Sequence, residues 1–357
     1  MYRDELLNTI EKLCKSGKGI LAADESTGTI GKRFNNINLE NTHDNRMQYR
    51  DLLFTAPGLY EYISGVIVYE ETLFDKTKDD KDLIQNLIDN DIIVGIKVDQ
   101  GVKLIENQQK DQDGETNTQG LVGLEERCKR YYAQGAKFAK WRSVLKIDKD
   151  KDLPSELAIN ENAKSLANYA SICIENGLVP IVEPEILMDG THTIEESYEV
   201  SVKVLKCVYS ELEKKGVDIE CTLLKPNMVR SGVLSNEPLD YKKIANYTIK
   251  AFNESVPFNM PGVVFLSGGM SETEATLALN EINKVESRFP GRLTFSYGRA
   301  LQSSVIKVWN GDKNNLVDAQ MMLLKRARCN SMASNGKYIN EHDDGEKDSL
   351  HEKNYTY

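Results

Sequence analysis

The chain has 357 residues, 40% hydrophobic and 28% charged, a balance suited to one large or two ordinary soluble globular domains. A formal net charge of −10 argues against nucleic acid as a partner, because phosphate backbones select basic surfaces. The opening Met1-Tyr2-Arg3-Asp4-Glu5 is too charged for a signal peptide and no apolar run approaches a membrane span, so a cytoplasmic protein without membrane insertion is expected.

In chain order, a helix is expected at about 2–16. Eight apolar runs that read as strands follow, at 19–24, 64–69, 92–98, 136–142, 178–183, 220–225, 262–267 and 292–297. Their ends lie about 30 to 45 residues apart, room for one crossover helix and its loops in each interval. Several intervals carry helical periodicity. Leu166, Tyr169, Ala170 and Cys173 fall on one face, as do Tyr198, Val202, Leu205, Val208 and Leu212. Ser271 with Glu274 forms a capping box ahead of Leu277, Ile282 and Val285.

Near-continuous apolar strands alternating with amphipathic helices imply a parallel sheet covered by helices. Eight such units favour a closed (β/α)8 TIM barrel, and no G-x-G-x-x-G follows the first strand to support a dinucleotide fold. The surplus length goes to the N-terminal helix, an extended segment around 35–51, a polar insertion at 111–120 and a tail. One barrel domain is expected at 1–333, with a flexible polar tail at 334–357.

Chemistry in such a barrel sits at the C-terminal ends of the strands. Alternation places Asp24 in phase with Ile20 and Ala22, Lys140 and Arg142 with Phe138, Glu183 and Glu185 with Ile181, and Lys225 with Leu223. With Lys97 and Arg299 these side chains collect at the mouth. So many cations share a dry site only if acids sit among them or an anionic ligand joins them. A phosphorylated substrate fits, since the turns at Ser267-Gly268-Gly269 and Gly298-Arg299 end the last two strands, where barrels often bind phosphate. Taken alone, Asp24 also fits a helix cap, Glu183 and Glu185 also fit structural partners of the lysines, and Lys32 and Arg33 also fit solvated helix charges. Cys14, Cys128, Cys173, Cys207, Cys221 and Cys329 lack metal or disulfide spacing, and only four histidines occur, which read as surface groups. No metal or cofactor is expected.

The chain resembles the class I, Schiff-base-forming fructose-1,6-bisphosphate aldolases. The resemblance lies in GILAADESTG at 19–28, GIKVD at 95–99, FAKWR at 138–142, PIVEPE at 180–185, LKPNM at 224–228, FLSGG at 265–269 and SYGRAL at 296–301, in family order. It implies that Lys225 forms an imine with the ketose, that Glu183 is the acid/base for carbinolamine formation and dehydration, and that Asp24 takes the C4 hydroxyl proton. It implies that Lys140 supports the imine chemistry, and that burial and a neighbouring cation favour the free amine of Lys225. Ser267, Gly268, Gly298 and Arg299 would hold the C1 phosphate. Lys97, Arg142, Ser26 and Thr29 would lie towards the C6 phosphate, with Lys32 and Arg33 nearby, and Glu185 joins this substrate-contacting set. Thr29 stands where a serine is usual. Tyr357 would assist proton exchange at the enamine, although the intervening tail is unlike the family's. A homotetramer is implied. The alternative function is a scaffold or binding protein on the same fold, linking cytoskeletal or membrane partners, acidic-tailed proteins among them. A zinc-dependent aldolase would need the clustered histidines that are missing.

Overall fold

The computed structural model describes residues 2–105, 114–339 and 345–355. Eight short strands, almost wholly buried, pair in parallel: β1 (Gly19–Ala23), β2 (Ile63–Val68), β3 (Ile93–Lys97), β4 (Phe138–Leu145), β5 (Val179–Ile186), β6 (Leu223–Leu224), β7 (Gly262–Phe265) and β8 (Arg292–Tyr297). They close in the order β1-β8-β7-β6-β5-β4-β3-β2, which makes the expected (β/α)8 barrel.

Alternation along each strand creates two cores. Outward-facing Leu21, Val66, Val94, Trp141, Val182 and Phe265 merge with the helices in one large cluster. Inward-facing Ile20, Ile67, Phe138, Ile181, Leu223 and Val264 form a second cluster inside the barrel. The helix Arg3–Leu13 closes that second core, contributing Leu6, Ile10 and Leu13. Ser64, near the start of β2, donates to the Leu13 carbonyl at 2.8 Å, so the plug enters at the N-terminal pole. Gly95 makes room for the Phe138 ring: a Cβ there would lie 2.3 Å from it. Above this apolar floor the inward phase continues into Asp24, Lys97, Lys140, Glu183 and Lys225. The polar site is thus seated on a hydrophobic layer.

The helix periodicity appears as read. Glu156–Glu175 buries Leu166, Tyr169, Ala170 and Cys173, and Ile194–Lys214 buries Val202, Leu205, Val208 and Leu212. Ser271 and Glu274 form the expected capping box. Two expectations change. The run at 220–225 is a 3-10 turn (Ile219–Cys221) followed by only two strand residues, because the Asp218 carboxylate holds the Glu220 N–H at 3.1 Å and bends the chain. The segment at 35–51 is not extended throughout. Thr42 caps a helix, His43–Phe54, that buries Tyr49, Leu52 and Leu53. The insertion near 111–120 lies by an antiparallel ribbon, Val102–Leu104 with Thr116–Thr118, and residues 111–113 fall outside the described residues. No helix among the described residues is long and apolar enough to cross a membrane.

Residues 345–355 cross the C-terminal face of the barrel. The Glu346 N–H donates to Glu272 Oε2 at 2.8 Å, Lys307 pairs with Glu346 at 2.6 Å, and the Leu350 N–H donates to the Gly269 carbonyl at 2.9 Å. Gly269 adopts φ +90, and a Cβ there would stand 2.8 Å from the His351 Cα.

Candidate active site

Lys225 follows β6 directly, and its N–H donates to the Val182 carbonyl at 2.8 Å, which fixes its backbone. Its Nζ lies 3.4 Å from Glu183 Oε1. Lys140 Nζ lies 2.7 Å from Asp24 Oδ2 and 3.7 Å from Glu183 Oε2. None of these four side chains is more than 3% exposed, so cation and acid alternate in a space shielded from water. Burial on this scale is tolerable because each charge faces an opposite one.

The two acids are driven in opposite directions. Burial alone would raise Asp24, but Lys140, Lys225 and Lys97 outweigh it and hold the carboxyl down at about 2. For Glu183, burial outweighs the pull of Lys225 and Lys140, and the carboxyl sits above its usual range. The two acids are thus displaced in opposite senses, Asp24 towards its ionised form and Glu183 towards its protonated one, the pattern that separates base from acid in a shared site.

A second tier surrounds this group. Lys97 is buried against the Asp99 carboxylate and donates to the Asp99 carbonyl at 3.0 Å. Arg142 pairs with Glu185, whose carboxyl the guanidinium holds below its usual range against the opposing effect of burial. The cavity at the mouth is walled by Asp24, Glu183, Glu185, Lys225, Arg33, Ser267, Gly268, Gly298 and Arg299. Gly298 opens the helix Arg299–Trp309, so backbone N–H groups and a guanidinium converge at that end. Ser267 and Gly268 face them from the loop after β7.

The remaining expected residues separate. Ser26 caps the helix Thr27–Asn35, accepting from the Thr29 N–H at 3.3 Å, and the two hydroxyls lie 3.0 Å apart. Arg33 pairs with Glu25 and reaches the cavity wall, whereas Lys32 is exposed on that helix. Tyr357 lies outside the described residues. His192, expected at the surface, is 5% exposed, and burial lowers its pKa.

Sequence reasoning gave no role to Glu25, which is buried between Arg33 and Arg50 (2.7 Å), or to Gln302, whose Nε2 donates to Glu25 Oε1 at 3.2 Å. Tyr355 was missed as well. Among the described residues one group carries metal-type donors, His43, Glu71 and Asp75, but Arg46 already grips both Glu71 oxygens at 2.7 Å.

Comparison with known proteins gives the family. A family model described as fructose-bisphosphate aldolase class-I matches residues 5–357. A fructose-bisphosphate aldolase of Dictyostelium discoideum is 52% identical over 100% of this chain and 99% of its own. The cytosolic fructose-bisphosphate aldolase 5 of Arabidopsis thaliana is 52% identical over 100% of this chain and 98% of its own. The solved fructose-bisphosphate aldolase of Plasmodium falciparum, in complex with TRAP and a small-molecule inhibitor, superimposes with a TM-score of 0.92 at 52% identity, covering 94% of this chain and 96% of that one. A barrel whose inner lysines and acids interleave at the strand ends, with relatives of this identity along its whole length, belongs to the class I fructose-bisphosphate aldolase family.

Proposed function

We propose that Lys225 is the amine through which this aldolase cleaves fructose 1,6-bisphosphate to dihydroxyacetone phosphate and glyceraldehyde 3-phosphate. The free amine adds to the C2 carbonyl, and Glu183, 3.4 Å away, donates the proton with which the carbinolamine oxygen leaves as water. The resulting iminium is the electron sink. Asp24, kept ionised by its lysines, removes the C4 hydroxyl proton. The C3–C4 bond breaks, the aldehyde departs, and its electron pair flows to the iminium nitrogen as an enamine. Protonation at C3 and hydrolysis release the second product and regenerate Lys225. Lys140, between Asp24 and Glu183, stabilises both carboxylates as they exchange protons. Ser267, Gly268, Gly298 and Arg299 take the C1 phosphate; Lys97, Arg142, Ser26, Thr29, Lys32 and Arg33 lie towards the C6 phosphate, beside Glu185. Tyr357 assists exchange at the enamine.

The observation that carries this reading is the buried chain of alternating charges, with Lys225 Nζ 3.4 Å from Glu183 and Lys140 between Glu183 and Asp24. Borohydride reduction in the presence of dihydroxyacetone phosphate tests it. A stable adduct on Lys225, lost in Lys225→Ala together with cleavage, is expected. Labelling elsewhere, or turnover by the variant, refutes the assignment.

The wider setting follows from relatives. Those from Arabidopsis thaliana and Spinacia oleracea are described as cytosolic and cytoplasmic, which supports a cytoplasmic placement. The homotetramer general to the family is the proposed assembly. A scaffold role alongside catalysis, towards cytoskeletal or acidic-tailed proteins, draws support from the Plasmodium falciparum relative solved with TRAP.

A further inference from the structure

Asp189, beyond the end of β5, is 5% exposed and turns both carboxylate oxygens to the tail. Its Oδ1 accepts from the Asn354 backbone N–H at 2.9 Å, and its Oδ2 lies 3.3 Å from His351 Nε2. The tail held this way reaches two arginines. Arg299 Nη1 donates to the Leu350 carbonyl and lies 3.6 Å from the Glu352 carboxylate. Arg142 Nη2 donates to the Tyr355 carbonyl at 3.0 Å. The Tyr355 ring packs on both guanidinium groups, its centroid 4.3 Å from Arg299 Cζ and 5.2 Å from Arg142 Cζ. Oxygens of the chain itself thus engage guanidinium donors that phosphate oxygens would use.

We propose that Asp189 is a positioning residue that latches the tail across the mouth, so that the latched tail and the substrate's phosphates compete for Arg142 and Arg299. A phosphate ligand then binds only the unlatched fraction, and its apparent affinity is reduced by that fraction. The inference rests on the phosphate-binding role given to these arginines above.

Binding of glucitol 1,6-bisphosphate, which has no carbonyl to react, isolates the effect from catalysis. Asp189→Ala removes both contacts. Asn354→Pro removes the donating N–H at an exposed residue whose φ of +50 proline cannot adopt, leaving the barrel core untouched. Each should bind the probe about three- to tenfold more tightly than the wild type, by calorimetry. Each should also release tail residues faster to carboxypeptidase. Asp189→Asn, which keeps an oxygen acceptor, should fall between. Unchanged or weaker binding in both Asp189→Ala and Asn354→Pro overturns the latch. Arg299→Ala separates the two claims. If it loses the probe while the latch variants stay at the wild-type value, the latch alone has failed; if it retains the probe, the phosphate assignment fails and the latch with it.

Discussion

Asp24 and Glu183 share Lys140 and Lys225 as neighbours, yet only Asp24 is held down, because it also feels Lys97 and sits 2.7 Å from Lys140 against 3.7 Å for Glu183. The folded value of Asp24 lies below its ordinary 3.8, so its contribution to stability is complete above that value and fades as pH falls towards about 2. Glu183 runs the other way: folding disfavours its ionised form, so its contribution is present at low pH and lost as pH rises through the elevated range. Asp24→Asn should therefore flatten the loss of stability between about pH 4 and about pH 2, read from urea midpoints. The same variant should lower kcat by about a hundred- to ten-thousand-fold, since its amide accepts no proton. An acid limb as steep as the wild type's would remove Asp24 from this account. The inward phase of Asp24, Lys140, Glu183 and Lys225 was readable, because strand alternation is a property of sequence alone. Glu25 was not, since its partner Arg50 arrives from a helix in a stretch that reads as extended.

At the scale of elements, local signals translated where the interaction was local. The Ser271–Glu274 capping box spans three residues and appears as read, with the Glu274 N–H on Ser271 Oγ at 3.1 Å and the Ser271 N–H on Glu274 Oε2 at 2.9 Å. Ser271 is fully buried, so Ser271→Ala leaves the Glu274 N–H without its acceptor and should reduce stability by about 1–2 kcal/mol, seen as a lower urea midpoint. The loop carrying Ser267 and Gly268 leads directly into this helix. Restoring a hydroxyl with Ser271→Thr should recover most of the loss, and failure to recover it would show that packing, not the cap, holds the turn. β6 was misjudged because its residues are apolar enough for a longer strand, and only the Asp218 turn shortens it. The seat of residues 345–355 was illegible for a related reason. Its contacts join residues far apart in sequence through backbone groups, and backbone groups leave no mark on composition.

Across the whole molecule, stability and chemistry occupy opposite poles of one barrel. The N-terminal helix seals the inner core, and Leu13 sits fully buried where a Cβ on Gly65 would come within 2.7 Å of its Cδ2. Eight parallel strands could be read from periodicity, and closure followed from their number. That the first helix acts as a plug could not, because an amphipathic stripe says that a face is buried without saying against what. The division makes a clear demand. Leu13→Ala empties volume beneath the Phe138 ring, where a barrel constrained on all sides relaxes little, and should reduce stability by about 2–5 kcal/mol. The Lys225–Glu183–Lys140–Asp24 group lies above that floor and makes no contact with the helix through its ion pairs. At a temperature where the variant is folded, kcat and KM for fructose 1,6-bisphosphate should then match the wild type. A fall in kcat without loss of stability would mean that the apolar floor sets the positions of the charged layer above it, and the two poles would have to be treated as one site.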